Sequence, residues 1–174
     1  ELGFYRGWIQ DLEAVDQLKG YGVDKPTHVF VQAGVGSLAG GVQGVIVNTF
    51  GADVKTIIVE SNLADCLYKA AVAKDGKPHN VGGDMATIMA GLACGEPNII
   101  SWEILKTYSD TFVSCPDWVA ANGMRVLGNP LKGDSQVISG ESGAVTTGLV
   151  YEIMANPDYK ALKESLELNG NTRI

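Results

Sequence analysis

The chain has 174 residues, of which 45% are hydrophobic, so it can bury the core of one domain. Its formal net charge is -7 and its 13 lysines and arginines are scattered, which excludes a nucleic-acid-binding surface. No apolar run approaches the roughly 20 residues that cross a bilayer, and the first residues lack a signal-peptide pattern. These features predict an acidic cytoplasmic protein without a membrane or nucleic-acid partner.

The first half of the chain alternates between helical and extended patterns. An apolar stripe at three- and four-residue steps predicts a helix over residues 1–20. A strand at 27–32, a helix at 38–50 and a strand at 54–60 are predicted to follow. Asn62 is then expected to cap a helix that ends near residue 72. Strands joined through helices in this order predict a parallel sheet with right-handed crossovers.

The second half continues the alternation. The strip of small and apolar residues at 84–97 favours a packed helix, and Ser101 is expected to cap a helix that ends at Tyr108. The remaining predicted elements are a strand at 111–114 and helices at 116–127, 144–154 and 159–168. We therefore predict one α/β domain over residues 1–174, with a parallel or mostly parallel sheet flanked by helices on both faces.

The cysteines and histidines do not form a recognisable reactive pattern. Cys66, Cys94 and Cys115 are widely spaced, so we expect reduced thiols that act mainly as small hydrophobic side chains. His28 opens an apolar strand and His79 follows a proline, which favours structural roles for both. No metal site is predicted from these residues.

The most informative stretch lies at residues 29–41, where an apolar run breaks into glycines and a helical pattern then resumes. This is a strand, a tight loop and the first turn of a helix. Glycines let backbone N–H groups approach an anion closely, and the helix start adds partial positive charge. The loop contains no lysine, so the stretch predicts a phosphate site built from amides.

Two kinds of phosphate ligand fit this loop. Residues 34–39 satisfy the G-x-G-x-x-A pattern of a dinucleotide site, and Glu60 ends the next strand at a suitable distance for binding a ribose. This favours an NAD-binding domain of an oxidoreductase. A lone glycine pattern is weak evidence, however, and a solvated strand end explains Glu60 equally well.

The second kind of ligand comes from a resemblance carried by four segments in a fixed order. They are Gln32–Gly40, Ile58–Glu60, Thr87–Leu92 and Ser139–Ala144. These segments resemble the landmarks of fold type II pyridoxal-phosphate enzymes of the tryptophan-synthase-β type, which include threonine dehydratases and serine racemases. Within that group, residues 80–97 and 123–130 closely resemble the diaminopropionate ammonia-lyase family. The resemblance covers the chain from Thr27 onward.

The resemblance implies roles for seven residues around pyridoxal 5'-phosphate. Gly91 would lie beside the pyridine ring and Glu141 would be an acid near the cofactor, although a carboxylate stabilised at a helix start fits Glu141 equally well. The residues after Glu60 do not reproduce the cation-ligand spacing of related racemases. The cofactor phosphate would be ringed by the amides of Ala33, Gly34, Val35, Gly36 and Ser37.

The same resemblance implies a reaction and a missing part. The family reaction is α,β-elimination on 2,3-diaminopropionate, which yields pyruvate and ammonia, and the family expectation is a homodimer. The lysine that holds the cofactor would lie upstream of the glycine loop, where this chain has only Lys19 and Lys25 in an unsuitable stretch. We therefore expect a portion of the large cofactor-binding domain, with no catalytic residue of its own. A packed domain that binds no cofactor is the third alternative.

Overall fold

The computed structural model describes residues 13–174. Residues 13–20, at the end of the helix predicted over 1–20, are helical and are labelled α1 here, and the first part of that prediction lies outside the described residues. Within residues 13–174, no helix is long and apolar enough to span a membrane.

Three parallel strands form the sheet. They are β1 (His28–Gln32), β2 (Lys55–Ser61) and β3 (Thr111–Cys115), in the order β1-β2-β3. The register places Val31 opposite Ile58, and Ile58 opposite Phe112. Every residue of the central strand β2 after Lys55 is buried because the strand is covered on both faces, which is typical of a parallel strand. The predicted parallel α/β architecture is therefore confirmed.

Helices pack on both faces of this sheet. Ile58 of β2 faces a core that includes Leu67 and Trp102, whereas Ile57 and Val59 face a second core on the opposite side. The helices are α2 (Ser37–Phe50), α3 (Cys66–Ala73), α4 (Ile99–Tyr108), α5 (Asp117–Gly128), α6 (Glu141–Ala155) and α7 (Lys160–Ser165). The first core lies under α2, α3 and α4, and the second lies under α5 and α6.

Helices α5 and α6 approach each other through facing glycines. A methyl group added at Gly123 would overlap the Ala144 carbonyl oxygen, and one added at Gly148 would overlap the Val119 carbonyl oxygen. The two backbones are therefore in direct contact at this crossing. Helix α6 also contributes Val145, Leu149 and Ile153 to the second core. The crossing therefore sets the position of the helices on that face of the sheet.

The prediction of a packed helix over residues 84–97 is wrong. The segment is irregular apart from a single 3₁₀ turn at Ala90–Leu92. It is closed by a backbone hydrogen bond of 2.7 Å from the Val81 amide to the Gly95 carbonyl oxygen, and a side chain at Gly95 would collide with Val81. The local pattern favoured a helix, but the close contact between Val81 and Gly95, which needs a glycine, bends the segment into a loop.

Two predicted helix caps are also wrong. Helix α3 begins at Cys66 rather than after Asn62, and its first amides are bound by a distant carboxylate, Glu60. Helix α4 is capped by Asn98, whose side chain accepts from the Ser101 amide at 2.9 Å. In α3 the capping oxygens come from the preceding strand, and in α4 the capping oxygen comes from a residue three positions before the predicted one.

Candidate anion-binding site

The glycine loop, residues 33–38, joins the carboxyl end of β1 to the start of α2. Gly36 caps α2 in the left-handed conformation, with φ 92° and ψ -1°. Such a φ favours glycine, because other residues pay a steric cost there. Within the described part of the chain, no hydrogen bond occupies the amides of Gly34, Val35, Gly36 or Ser37. These four successive N–H groups are therefore available to a ligand.

The carbonyl groups of the same loop are held by the protein. The Gly34 oxygen accepts from Cys66 Sγ at 3.6 Å, the Val35 oxygen accepts from the Asn98 amide at 2.7 Å, and the Gly36 oxygen accepts from the Gly40 amide at 2.8 Å. In a planar trans peptide the N–H group points opposite to the C=O group. The amides that follow these carbonyls therefore point away from the supporting helices.

A cavity of about 310 Å³ lies against the glycine loop. Its size is in the range of small-molecule pockets. The opposite wall is formed by Gly91, Leu92, Cys94 and Ser142. The structure thus brings six of the seven predicted site residues into one cavity lining, namely Ala33, Gly34, Val35, Gly36, Ser37 and Gly91.

Two of the seven predicted site residues differ from the rest. Ala33 lines the cavity, but its amide already donates to the Val59 carbonyl oxygen at 2.9 Å within the sheet, so it is not available to a phosphate. Glu141 is the exposed first residue of α6 and is not among the residues that line the cavity. A carboxylate there interacts favourably with the partial positive charge of the helix start. Its proximity to a cofactor stays a prediction.

Ser142 is a lining residue that sequence reasoning missed. A methyl group added at Gly91 would lie 3.0 Å from Ser142 Oγ, so the hydroxyl group packs directly against the Gly91 backbone. The cluster of glycines and hydroxyl groups at 139–143 was the available signal. Sequence reasoning favoured Glu141 because a carboxylate is more reactive than a hydroxyl group. In the structure, Ser142 faces the cavity and Glu141 does not.

The wall that contains Gly91 is anchored to the start of α5. The Thr87 hydroxyl group donates to Asp117 Oδ1, and the Ile88 amide donates to Asp117 Oδ2 at 3.1 Å. Thr87 Oγ1 in turn accepts from the Met89 amide at 3.1 Å. Hydrogen bonds to an ionised carboxylate are stronger than neutral ones, so this contact keeps an irregular segment in place.

Glu60 is buried, which contradicts the interpretation of a solvated strand end. Its side chain is 0% exposed. Oε1 accepts from the Leu67 amide at 2.9 Å and Oε2 accepts from the Tyr68 amide at 2.6 Å, so both oxygens bind the first turn of α3. With both oxygens occupied by the protein, Glu60 is poorly placed to bind a ribose.

The residues of this cavity suit a phosphate group. Four available amides at a helix start provide donors without a competing carboxylate in the lining. The lining lacks the carboxylate and imidazole ligands of a cation, and no group of three or more metal-binding side chains occurs within residues 13–174. A methyl group at Gly34 would lie 3.3 Å from Leu92 Cα, a tight contact, so the absence of a side chain at residue 34 favours the close approach of the two walls.

Burial gives Glu60 an unusual effect on stability. Desolvation raises the pKa of Glu60 from 4.5 to about 8, against the two amide hydrogen bonds, which lower it. The native state therefore binds this proton more tightly than the unfolded chain does. The stabilisation that comes from protonated Glu60 is complete below pH 4.5 and is lost as the pH rises through about 8.

We expect this pH dependence to disappear in Glu60→Gln. Urea unfolding of the full-length protein and the variant at pH 5 and pH 9 should show a decline in stability for the unsubstituted protein that the variant lacks, because glutamine does not titrate. The stability difference between the two proteins should therefore change with pH. Parallel pH dependences of the two midpoints would contradict the raised pKa.

Most of the chain is similar to known proteins. Residues 11–160 match the family described as "Pyridoxal-phosphate dependent enzyme". The chain belongs to this family. It is also 54% identical over 163 residues to diaminopropionate ammonia-lyase of Escherichia coli K12, a match that covers 93% of this chain and 40% of that protein. The chain thus spans less than half the length of this curated relative.

Solved structures show the same relationship. A crystal structure of the Escherichia coli diaminopropionate ammonia-lyase in complex with D-serine has a TM-score of 0.85 at 48% identity, covering 94% of this chain and 40% of that one. A maize serine racemase has a TM-score of 0.69 at 20% identity, covering 88% of this chain and 43% of that one. The similarity to the serine racemase shows a shared fold alone.

Proposed function

We propose that this chain is the phosphate-binding portion of a pyridoxal-phosphate-dependent ammonia-lyase that acts on 2,3-diaminopropionate. The observation that carries the proposal is the set of four available amides at the start of α2. The 54% identity to a diaminopropionate ammonia-lyase supports the choice of substrate class.

The glycine loop would hold the cofactor phosphate through the amides of Gly34, Val35, Gly36 and Ser37. Each hydrogen bond to a charged oxygen contributes about 1.5–3 kcal/mol. Gly91 would let the backbone approach the flat ring, and the Ser142 hydroxyl group would support that wall. When bound, the cofactor serves as an electron sink for the carbanion that forms at the substrate α-carbon.

The chain's own residues would therefore bind and orient rather than transfer protons. A lysine that holds the cofactor and the acid-base residues of the elimination are proposed to belong to the remainder of the enzyme, outside these 174 residues. The products would be pyruvate and two molecules of ammonia. We also propose that residues 1–174 form part of one large domain, and that the enzyme is a cytoplasmic homodimer.

The test uses the full-length protein and the isolated chain. With pyridoxal phosphate, the full-length protein should release pyruvate from 2,3-diaminopropionate, and the isolated chain should not. Borohydride treatment of the isolated chain should give no stoichiometric lysine adduct. Turnover by the isolated chain would contradict the proposed division of roles, and its absence from the full-length protein would contradict the proposed reaction.

A dinucleotide site makes a different forecast. It requires saturable NAD binding that weakens in Glu60→Ala and is not competed by pyridoxal phosphate. The burial of Glu60 and the occupation of both its oxygens argue against this ligand. A packed domain without a cofactor would show no protection of the glycine loop by inorganic phosphate in hydrogen exchange.

A further inference from the structure

Glu60 is a fully buried carboxyl group that the proposed chemistry does not use. It lies at the end of β2, on the same edge of the sheet as the glycine loop, because the carboxyl ends of parallel strands share one edge. Burying an ionisable group is costly unless it makes compensating hydrogen bonds. The two amides of Leu67 and Tyr68 supply them, so Glu60 ties the end of β2 to the first turn of α3.

The first turn of α3 directly supports the glycine loop. Cys66 Sγ donates to the Gly34 carbonyl oxygen at 3.6 Å. The Leu67 side chain lies immediately below Gly36, where an added methyl group would be 3.2 Å from Leu67 Cδ1. Leu67 is itself 0% exposed and packs in the same core as Ala33. Two successive residues of α3 therefore contact two glycines of the loop.

We infer that Glu60 is a positioning residue for the phosphate site, which it affects only by fixing the first turn of α3 beneath the glycine loop. Glu60 does not touch the ligand. The path runs from the Glu60 carboxyl group to the Leu67 amide, and from the Leu67 side chain to Gly36. Moving this turn would shift the loop carbonyls and, with them, the amides that face the cavity.

This inference deepens the proposed function and rests on it. The first test substitutes Glu60→Gln in the full-length protein, which leaves one acceptor oxygen and places an NH₂ group against the second amide. We expect binding of pyridoxal phosphate to the cofactor-free protein to weaken about tenfold, as for the loss of one buried hydrogen bond. The phosphorus NMR resonance of bound cofactor should also shift, because the amides around the phosphate move.

Glu152→Gln is the matched control. Glu152 is another buried carboxyl group, with Oε1 accepting from Asn122 Nδ2 at 2.9 Å, and it lies ten residues beyond Ser142 along α6. That separation is about 15 Å of helix. This variant should bind the cofactor as the unsubstituted protein does and leave its phosphorus resonance in place.

A second pair of variants leaves the Glu60 carboxyl group in place. Leu67→Val keeps the backbone amide that Glu60 binds but shortens the side chain under Gly36, whereas Leu149→Val makes the same change in the opposite core. We expect about threefold weaker cofactor binding for the first and no change for the second. If Glu60→Gln does not fold, this pair still tests the contact through which Glu60 would act, because equal binding by Leu67→Val and Leu149→Val would overturn the inference.

The outcomes separate the inference from the proposed function. If the unsubstituted full-length protein binds no pyridoxal phosphate, the proposed function itself fails. If it binds, but folded Glu60→Gln binds equally well, only the positioning role is overturned. Equal weakening in Glu60→Gln and Glu152→Gln, or in the two leucine variants, would also overturn it, because general destabilisation would then explain the effect.

Discussion

Gly123→Ala is expected to lower the free energy of unfolding by about 3 kcal/mol or more, the upper part of the range for overpacked cores. The added methyl group has no free space, because it would overlap the Ala144 carbonyl oxygen and lie 2.8 Å from the Gly148 nitrogen. Both are backbone atoms, so relief requires moving α5 away from α6. Chemical denaturation of the full-length protein measures the loss.

Gly128→Ala provides the control for this substitution. Gly128 ends the same helix, α5, and an added methyl group there meets no atom of residues 13–174 within 4 Å. We expect this variant to be as stable as the unsubstituted protein or slightly more stable, because alanine has the higher helix propensity. Equal losses in the two variants would mean that the crossing at Gly123 is not the cause.

Gly36→Ala is expected to weaken binding of pyridoxal phosphate by about ten- to one-hundredfold, which corresponds to about 1.4–2.7 kcal/mol. Alanine is strained at φ 92°, and its methyl group would lie 3.2 Å from Leu67 Cδ1 and 3.3 Å from Leu105 Cδ1. The loop can relieve the backbone strain and these two contacts only if its peptide groups rotate. That rotation redirects the amides of Gly36 and Ser37. Equilibrium dialysis of the cofactor against the full-length protein measures the change.

The comparison variant for Gly36→Ala is Gly44→Ala. Gly44 lies within α2, and an added methyl group meets no atom of the described part of the chain within 4 Å. It should stabilise the protein by about 0.5–1 kcal/mol through helix propensity and leave cofactor binding unchanged. If Gly36→Ala bound the cofactor as well as Gly44→Ala does, the glycine loop would not be the phosphate site.

The sheet and the glycine loop could be predicted from local sequence. The apolar runs that became β1 and β2 are covered on both faces, so their pattern needed no tertiary information. The loop was recognisable because its glycines fall between a strand pattern and a helix pattern. Its backbone direction follows from the left-handed conformation of Gly36, which only a few residue types adopt readily.

Most of the missed features depend on contacts between segments that are separated in sequence. The role of Glu60 depends on where α3 begins. The cap on α4 is the exception, because Asn98 lies only three residues before Ser101 and was available as a local signal. Residues 84–97 carry a helical composition but are bent by the contact between Val81 and Gly95. The choice between Glu141 and Ser142 depends on the rotation of α6 about its axis, which the packing against α5 sets.

The anchoring of the loop carbonyls has a consequence for how a ligand is received. Because Gly34, Val35 and Gly36 already have partners for their oxygens, the peptide dipoles are oriented before any anion arrives. Binding then costs little conformational entropy in the receptor, and the main barrier is removal of water from the anion and the cavity. Such a loop should therefore keep its backbone shape when the anion enters or leaves.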